Sequence, residues 1–210
     1  MGRITALRVD RSKKRIGVFV DSSLSFTIER KLSDRVGLWV GQRLSLDQIE
    51  ELRQSDHSHT CFNAALHYLS YRPRSEAEIR QRLYRHGFGD DEVNKVVRDL
   101  KEQKLIDDAA FARYWRDNRL SFNPRSGRLI KDELRGKGVA LEIADEVTRG
   151  LDDEASAYEA GLSKARILAA LGYSEFYRRL SGHLRRRGFS CAVINHVVVR
   201  LWQEQQTISV

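Results

Sequence analysis

Apolar residues roughly alternate with polar ones from Ile4 to Ile28, and from Thr60 to about Gln205 they recur every three or four positions. The first pattern fits strands with one buried face, the second amphipathic helices. Strands are expected around Ile4, Leu7 and Val9, around Ile16, Val18 and Val20, and around Leu24, Phe26 and Ile28. Arg11-Ser12-Lys13-Lys14 and Asp21-Ser22-Ser23 are the turns between them. A short segment follows from Leu32 to Leu38. Ser45 then caps a predicted helix from Leu46 to about Arg53, with Leu46, Ile49 and Leu52 on one face. The polar stretch Ser55-Asp56-His57-Ser58-His59 is expected to be a linker.

Beyond that stretch the period predicts nine helices in three sets: 60–71, 75–86 and 90–103, then 108–121, 126–137 and 141–150, then 153–170, 174–187 and 190–204. The sets repeat one design. Pro73-Arg74-Ser75 leads to Gly87, Pro124-Arg125-Ser126 leads to Gly138, and Ser174 leads to Gly188. Ile79, Ile130 and Leu180 precede these glycines by eight residues, and Leu83, Leu134 and Leu184 precede them by four. Leu100, Leu151 and Leu201 follow them by thirteen. A period near 50 residues marks a repeat array. Ser75 and Glu78 form a capping box, and each glycine stops a helix in the left-handed conformation. Asp107-Asp108 and Asp152-Asp153 begin helices as caps.

The expected fold is therefore mainly α, a tandem array of three three-helix repeats preceded by a small β-rich N-terminal domain. The divisions fall at 1–56, 57–106, 107–151 and 152–210. Two helices meeting at a glycine invite comparison with a helix-turn-helix. However, Gly89-Asp90-Asp91-Glu92 and Ala140-Leu141-Glu142 put acidic or apolar residues where base-reading side chains would stand, so these are read as tight corners.

Composition is that of a soluble globular protein, and no apolar run is long enough to cross a membrane. Cys61 and Cys191 do not resemble a disulfide framework and are expected to be small buried apolar residues in a reducing cytoplasm. The net charge of +8 favours a polyanion or an acidic protein as partner. Its excess lies at the two ends: residues 173–210 carry six arginines against two acids, whereas residues 107–172 are nearly balanced. His57-x-His59-x-Cys61 lacks a fourth metal ligand at useful spacing, and neither a phosphate-binding loop nor a nucleophile elbow is present. No enzyme, cofactor or metal is expected.

The motifs together resemble the RecX family of recombinase regulators over residues 60–204. Ala65-Leu66-His67-Tyr68-Leu69 before Arg72-Pro73-Arg74-Ser75-Glu76 resembles the opening motif, continued by Glu78-Ile79-Arg80, Leu83 and Gly87. Leu105-Ile106-Asp107-Asp108 with Phe111-Ala112 and Arg119 resembles the second. Ile130-Lys131-Asp132-Glu133-Leu134 with Lys137-Gly138-Val139 resembles the third. The resemblance implies a curved, elongated array. It also implies a protein that lies in the groove of the RecA filament on single-stranded DNA and inhibits strand exchange, ATP hydrolysis and coprotease activity; a monomer is expected. Single-stranded and double-stranded DNA are expected partners beside the filament, and the alternative is a sequence-independent DNA-binding protein acting by competition for DNA.

With Ile79 and Leu83 facing inward, Arg80, Arg82 and Arg85 are left at the flank or outside of the first middle helix. The second middle helix offers Arg128, Lys131 and Arg135, and the third offers Arg178, Arg179, Arg185, Arg186 and Arg187. These are the candidate contacts for the filament or its DNA. Arg185-Arg186-Arg187 stand out because they lack acidic neighbours in sequence. Tyr68, Phe111, Tyr114, Trp115, Phe176, Tyr177 and Trp202 are expected to pack in cores, while Phe122 and Tyr173 are placed for exposure.

Overall fold

The structure is a computed structural model and describes residues 1–208. It divides into two compact units: Met1–Arg72 with Ile79–Glu102, and Pro73–Glu78 with the chain from Gln103 onward.

In the first unit β1 (Gly2–Val9), β2 (Arg15–Val20), β3 (Ser23–Glu29) and β4 (Arg43–Leu44) form an antiparallel sheet in the order β3-β2-β1-β4. α1 (Arg30–Val36) follows β3, within the stretch that the sequence left unassigned. Ile4, Ile16, Val18, Phe26 and Ile28 line one face and pack with Leu32, Leu44 and the helical residues Ile49 and Leu52.

The expected linker does not exist. α2 runs unbroken from Leu46 to Leu69. A capping box starts it, with Gln48 N donating to Ser45 Oγ at 3.0 Å and Ser45 N donating to Gln48 Oε1 at 2.9 Å. Its sheet-facing stripe begins with Ile49 and Leu52 and then turns polar. Asp56 is buried, accepting from Arg15 Nη2 at 2.5 Å and from Glu29 N at 2.6 Å. One turn on, His59 Nδ1 lies 2.8 Å from Glu29 Oε2, and Asn63 Nδ2 donates to the same oxygen at 3.0 Å. The helical face continues, but it meets a charged sheet end instead of an apolar one, so hydrophobic periodicity stops where the helix does not. The outer edge strand β3 is blunted by the same device, because Arg53 donates to Ser25 O and Arg15 to Thr27 O.

α3 (Glu76–Arg85) and α4 (Asp90–Glu102) complete the first repeat. Ile79, Leu83, Val93, Val96, Val97 and Leu100 are all buried. His57 is paired with Glu92 at 2.9 Å, while Cys61 is buried. Burial, with Glu92 nearby, pushes the Cys61 thiol up to about 11. Cys191, expected to be buried, is exposed in the first turn of the last helix.

The second unit holds α5 (Asp108–Phe122), α6 (Gly127–Gly136) and α7 (Leu141–Thr148), then α8 (Asp153–Ile167), α9 (Tyr173–Arg185) and α10 (Cys191–Ile208). Each set has its own core, around Phe111, Ile130 and Leu134 in one and Phe176, Leu180 and Leu184 in the other. Full burial of such side chains contributes about 1.5–3 kcal/mol each, several times the worth of a surface ion pair.

One corner recurs in this unit. Ser75 Oγ accepts from Glu78 N at 3.2 Å and donates to Lys137 O at 2.6 Å, while the Gly138 Cα lies against Ala77. Ser126 repeats the arrangement one set later. Its Oγ accepts from Leu129 N at 3.2 Å, its N donates to Arg187 O at 3.0 Å, and Gly188 lies against it. The aspartate pairs divide their work in the same way. Asp107 and Asp152 cap the helices they begin, whereas Asp108 accepts from Glu76 N and Asp153 from Gly127 N, each at 2.8 Å. Ser174 departs from the pattern: α9 is capped at Gly172 with no side-chain cap.

Gly87 and Gly188 have nearly the same φ, 84° and 85°, in different surroundings. A Cβ on Gly87 would enter open space, whereas on Gly188 it would lie 2.5 Å from Ser126 Oγ and 2.7 Å from Leu129 Cβ. Gly87→Ala should therefore cost only the left-handed strain of about 1–2 kcal/mol. Gly188→Ala should add roughly 1–3 kcal/mol of overpacking. Equal losses in urea denaturation would contradict the corner. Replacing Asp56 with Asn should cost about 1.5–3 kcal/mol, the worth of hydrogen bonds to a charged group. An unchanged melting temperature would show that the carboxylate does not fasten α2 to the sheet.

Candidate functional site

Helical cations divide according to whether a carboxylate or a ring holds them. On α3, Arg80 Nη1 donates to Asn94 Oδ1 at 2.7 Å, Arg82 lies 5.4 Å from the Tyr68 ring centre, and Arg85 folds back onto Gln81. On α6, Lys131 is paired with Asp145, whereas Arg128 and Arg135 are exposed and have no ion pair among the described residues. On α9, Arg178 and Arg179 share the carboxylate of Glu175, the first at 2.6 Å. The two hydrogen bonds hold the Glu175 carboxyl well below its ordinary range, at about 2.

The run Arg185-Arg186-Arg187 is split by the helix end. Arg185 and Arg186 are exposed and have no ion pair among the described residues. Arg187 turns inward: its Nε is buried without a hydrogen-bond partner, and its Nη1 lies 3.5 Å from His183 Nδ1. Burial, then the charge of Arg186, pulls the Arg187 pKa below its ordinary value. Burial, then Arg187, does the same to His183, whose Nε2 lies 3.0 Å from Ala160 O. Arg187 thus belongs to the corner that receives Ser126, and only its two neighbours offer charge to a partner.

A polar network inside the second repeat accounts for other cations. Glu133 accepts from Trp115 Nε1 and Arg119 Nε, each at 2.7 Å, and is paired with Arg125. Arg119 and Lys137 lie over the Trp115 ring at 4.3 and 4.1 Å, and Lys137 also reaches Glu78 at 2.9 Å. Burial, then Arg119 and Arg187, lowers the pKa of Arg125. These groups are structural, because their charge is spent within the fold.

An exposed cation beside the candidate helices escaped sequence reasoning. Arg149, at the end of α7, lines a shallow groove with Arg128 and Lys131. Its signal was the following Gly150, another glycine at positive φ (73°), outside the middle helices. Among the aromatics, Phe111 and Phe176 are fully buried, Trp115, Tyr177 and Trp202 pack against cores, and Tyr114 reaches the surface. Phe122 is 82% exposed and Tyr173 is also exposed. Among the described residues no group of His, Cys, Asp and Glu side chains could hold a metal ion. Also among them, no helix is long and apolar enough to cross a membrane.

Comparison with known proteins places these repeats. Residues 61–100 match the family model described as RecX, first three-helix domain, and residues 107–147 match RecX, second three-helix domain. Regulatory protein RecX of Lactobacillus gasseri is 30% identical over 203 residues, covering 94% of this chain and 74% of the relative. Two solved structures share the fold. One, a regulatory protein RecX, has a TM-score of 0.65 at 22% identity and covers 94% of this chain and 98% of its own. The other, RecX from Lactobacillus salivarius, has a TM-score of 0.59 at 24% identity, covering 70% and 97%. Helical repeats closed by glycine corners, two matched domains and a relative aligned over nearly the whole chain make this protein a member of the RecX family of regulatory proteins.

Proposed function

We propose that the protein binds the filament formed by the RecA recombinase on single-stranded DNA and inhibits its strand exchange, ATP hydrolysis and coprotease activity. It acts in the cytoplasm as a monomer and by binding, without catalysis. Repeats 57–106, 107–151 and 152–210 supply the contact surface, and residues 1–56 form a small β-rich part joined to the first repeat through the continuous helix α2. The observation that carries this reading is the set of exposed cations with no ion pair among the described residues, Arg128, Arg135, Arg185 and Arg186, on middle helices of a regulatory family's repeats. Neutralising such groups in solution gains little, but an acidic protein surface or a phosphate backbone satisfies them. The net charge of +8 also favours a second mode, in which the protein binds DNA without sequence preference and displaces the recombinase.

Free and paired arginines give different expectations. Replacing Arg185 and Arg186 with Ala should weaken inhibition of RecA ATP hydrolysis severalfold and reduce the salt slope of single-stranded DNA binding by about 1. Replacing Arg178 and Arg179 should do less, because Glu175 already neutralises part of their charge. Equal effects of the two double substitutions would contradict the assignment.

Glu175→Gln reverses the experiment. It frees Arg178 and Arg179, so binding to single-stranded DNA should strengthen and its salt slope should steepen by about 1. With its carboxyl titrating at about 2 against 4.5 in the unfolded chain, the Glu175 pairing is fully present above pH 4.5 and is lost progressively as the pH falls through that interval. The gain from Glu175→Gln should therefore be constant from pH 6 to 8 in binding titrations. A gain confined to one side of that range would point to another group.

A further inference from the structure

The small sheet holds a second arrangement of unpaired cations. β1 and β4 set Arg3 and Arg43 directly opposite one another as antiparallel register partners. Opposed residues project their side chains to one face, where like charges are destabilising. Both arginines are exposed, and neither has an ion pair among the described residues. The nearby Asp21 is occupied otherwise, with its Oδ1 accepting from the backbone N of Arg3 at 3.0 Å.

The same pairing brings an indole to the guanidinium of Arg3. Gly41 N donates to Ile4 O and Ile4 N to Gln42 O, each at 2.8 Å, so the turn before β4 is laced onto β1. Trp39 is fixed at the head of that turn: its N donates to Gln42 Oε1 at 3.2 Å, and its O accepts from Gln42 N at 3.2 Å. From the point where a Gly41 Cβ would stand, Trp39 Cζ3 is 3.0 Å away and Arg3 Nη2 is 3.4 Å away. The ring and the guanidinium are therefore neighbours. Leu38 packs on the core of this unit, but Trp39 does not, and it is 60% exposed.

We infer that Trp39, Arg3 and Arg43 form a binding site for single-stranded nucleic acid, with one base stacked on the indole and a flanking phosphate between the guanidiniums. Two opposed guanidiniums without an ion-pair partner among the described residues match a phosphate, and an exposed ring on a backbone held by hydrogen bonds is a stacking platform. A paired duplex presents no free base face, so the ligand is single-stranded. The site rests on the reading that this protein contacts DNA, but its residues lie outside the helical repeats, so the two assignments fail separately.

The test uses the full chain and a short oligothymidylate, followed by intrinsic tryptophan emission without recombinase. The oligonucleotide should quench the native protein and should leave the emission of Trp39→Leu unchanged. Affinity should fall about tenfold in Trp39→Leu and less in Trp39→Phe, which keeps a ring. An oligonucleotide of the same length made of abasic sites should bind the native protein and Trp39→Leu equally. The pair Arg3→Gln with Arg43→Gln should lower the salt slope by about 1. Thermal melting identifies variants whose sheet is intact. Retention of the Trp39-dependent quench after Arg185→Ala with Arg186→Ala supports a site separate from the helical one. Unchanged affinity and salt slope in intact sheet variants would overturn the inference. So would an absence of binding by the native protein, or a defect seen only with anionic vesicles or a polyglutamate peptide.

Discussion

The close approach of a serine-headed helix start to a glycine corner is the constraint on which the second unit depends. At Gly138 and Gly188 the positive φ ends one helix, and the missing side chain leaves room for another helix start to sit against the turn. The serine then satisfies its own helix and fixes the turn, through Ser75 Oγ to Lys137 O in one case and Ser126 N to Arg187 O in the other. The second residue of each aspartate pair secures the same helix start. Three residue types at fixed spacing thus do in sequence what the corner requires in space.

This constraint sorts the charges. Arg187 and Lys137 sit at the corners themselves, and Arg119 and Arg125 are held by Glu133. Their charge is offset or half-buried, and removing it would disturb packing before it disturbed a partner. On the middle helices the side chains of Arg128, Arg135, Arg185 and Arg186 are exposed and have no ion pair among the described residues. Scaffold and candidate contact surface are therefore separable, although they occupy adjacent positions on the same helices.

Much of this was legible in the sequence because repetition removes ambiguity. The register of Ile130 with Leu134 and of Leu180 with Leu184 gave α6 and α9, and the three alternating runs gave β1 to β3. What was not legible depended on partners far along the chain. The polar residues Asp56, His59 and Asn63 read as a linker because nothing local reveals that Arg15 and Glu29 wait for them. Arg187 read as one of three equivalent arginines because sequence does not show where the last helical turn of α9 points. Arg3 and Arg43 lie 40 residues apart, and only strand pairing makes them neighbours.

The central claim is that the protein regulates by holding the recombinase itself and not merely by occupying DNA. The most direct measurement is binding to RecA alone in salt high enough to abolish binding to free DNA, since counter-ion release makes phosphate binding fall more steeply with salt than an interface that adds packing to its ion pairs. Retained binding to RecA under those conditions is the predicted result. Loss of RecA binding together with DNA binding would contradict the account and leave competition for DNA as the mechanism.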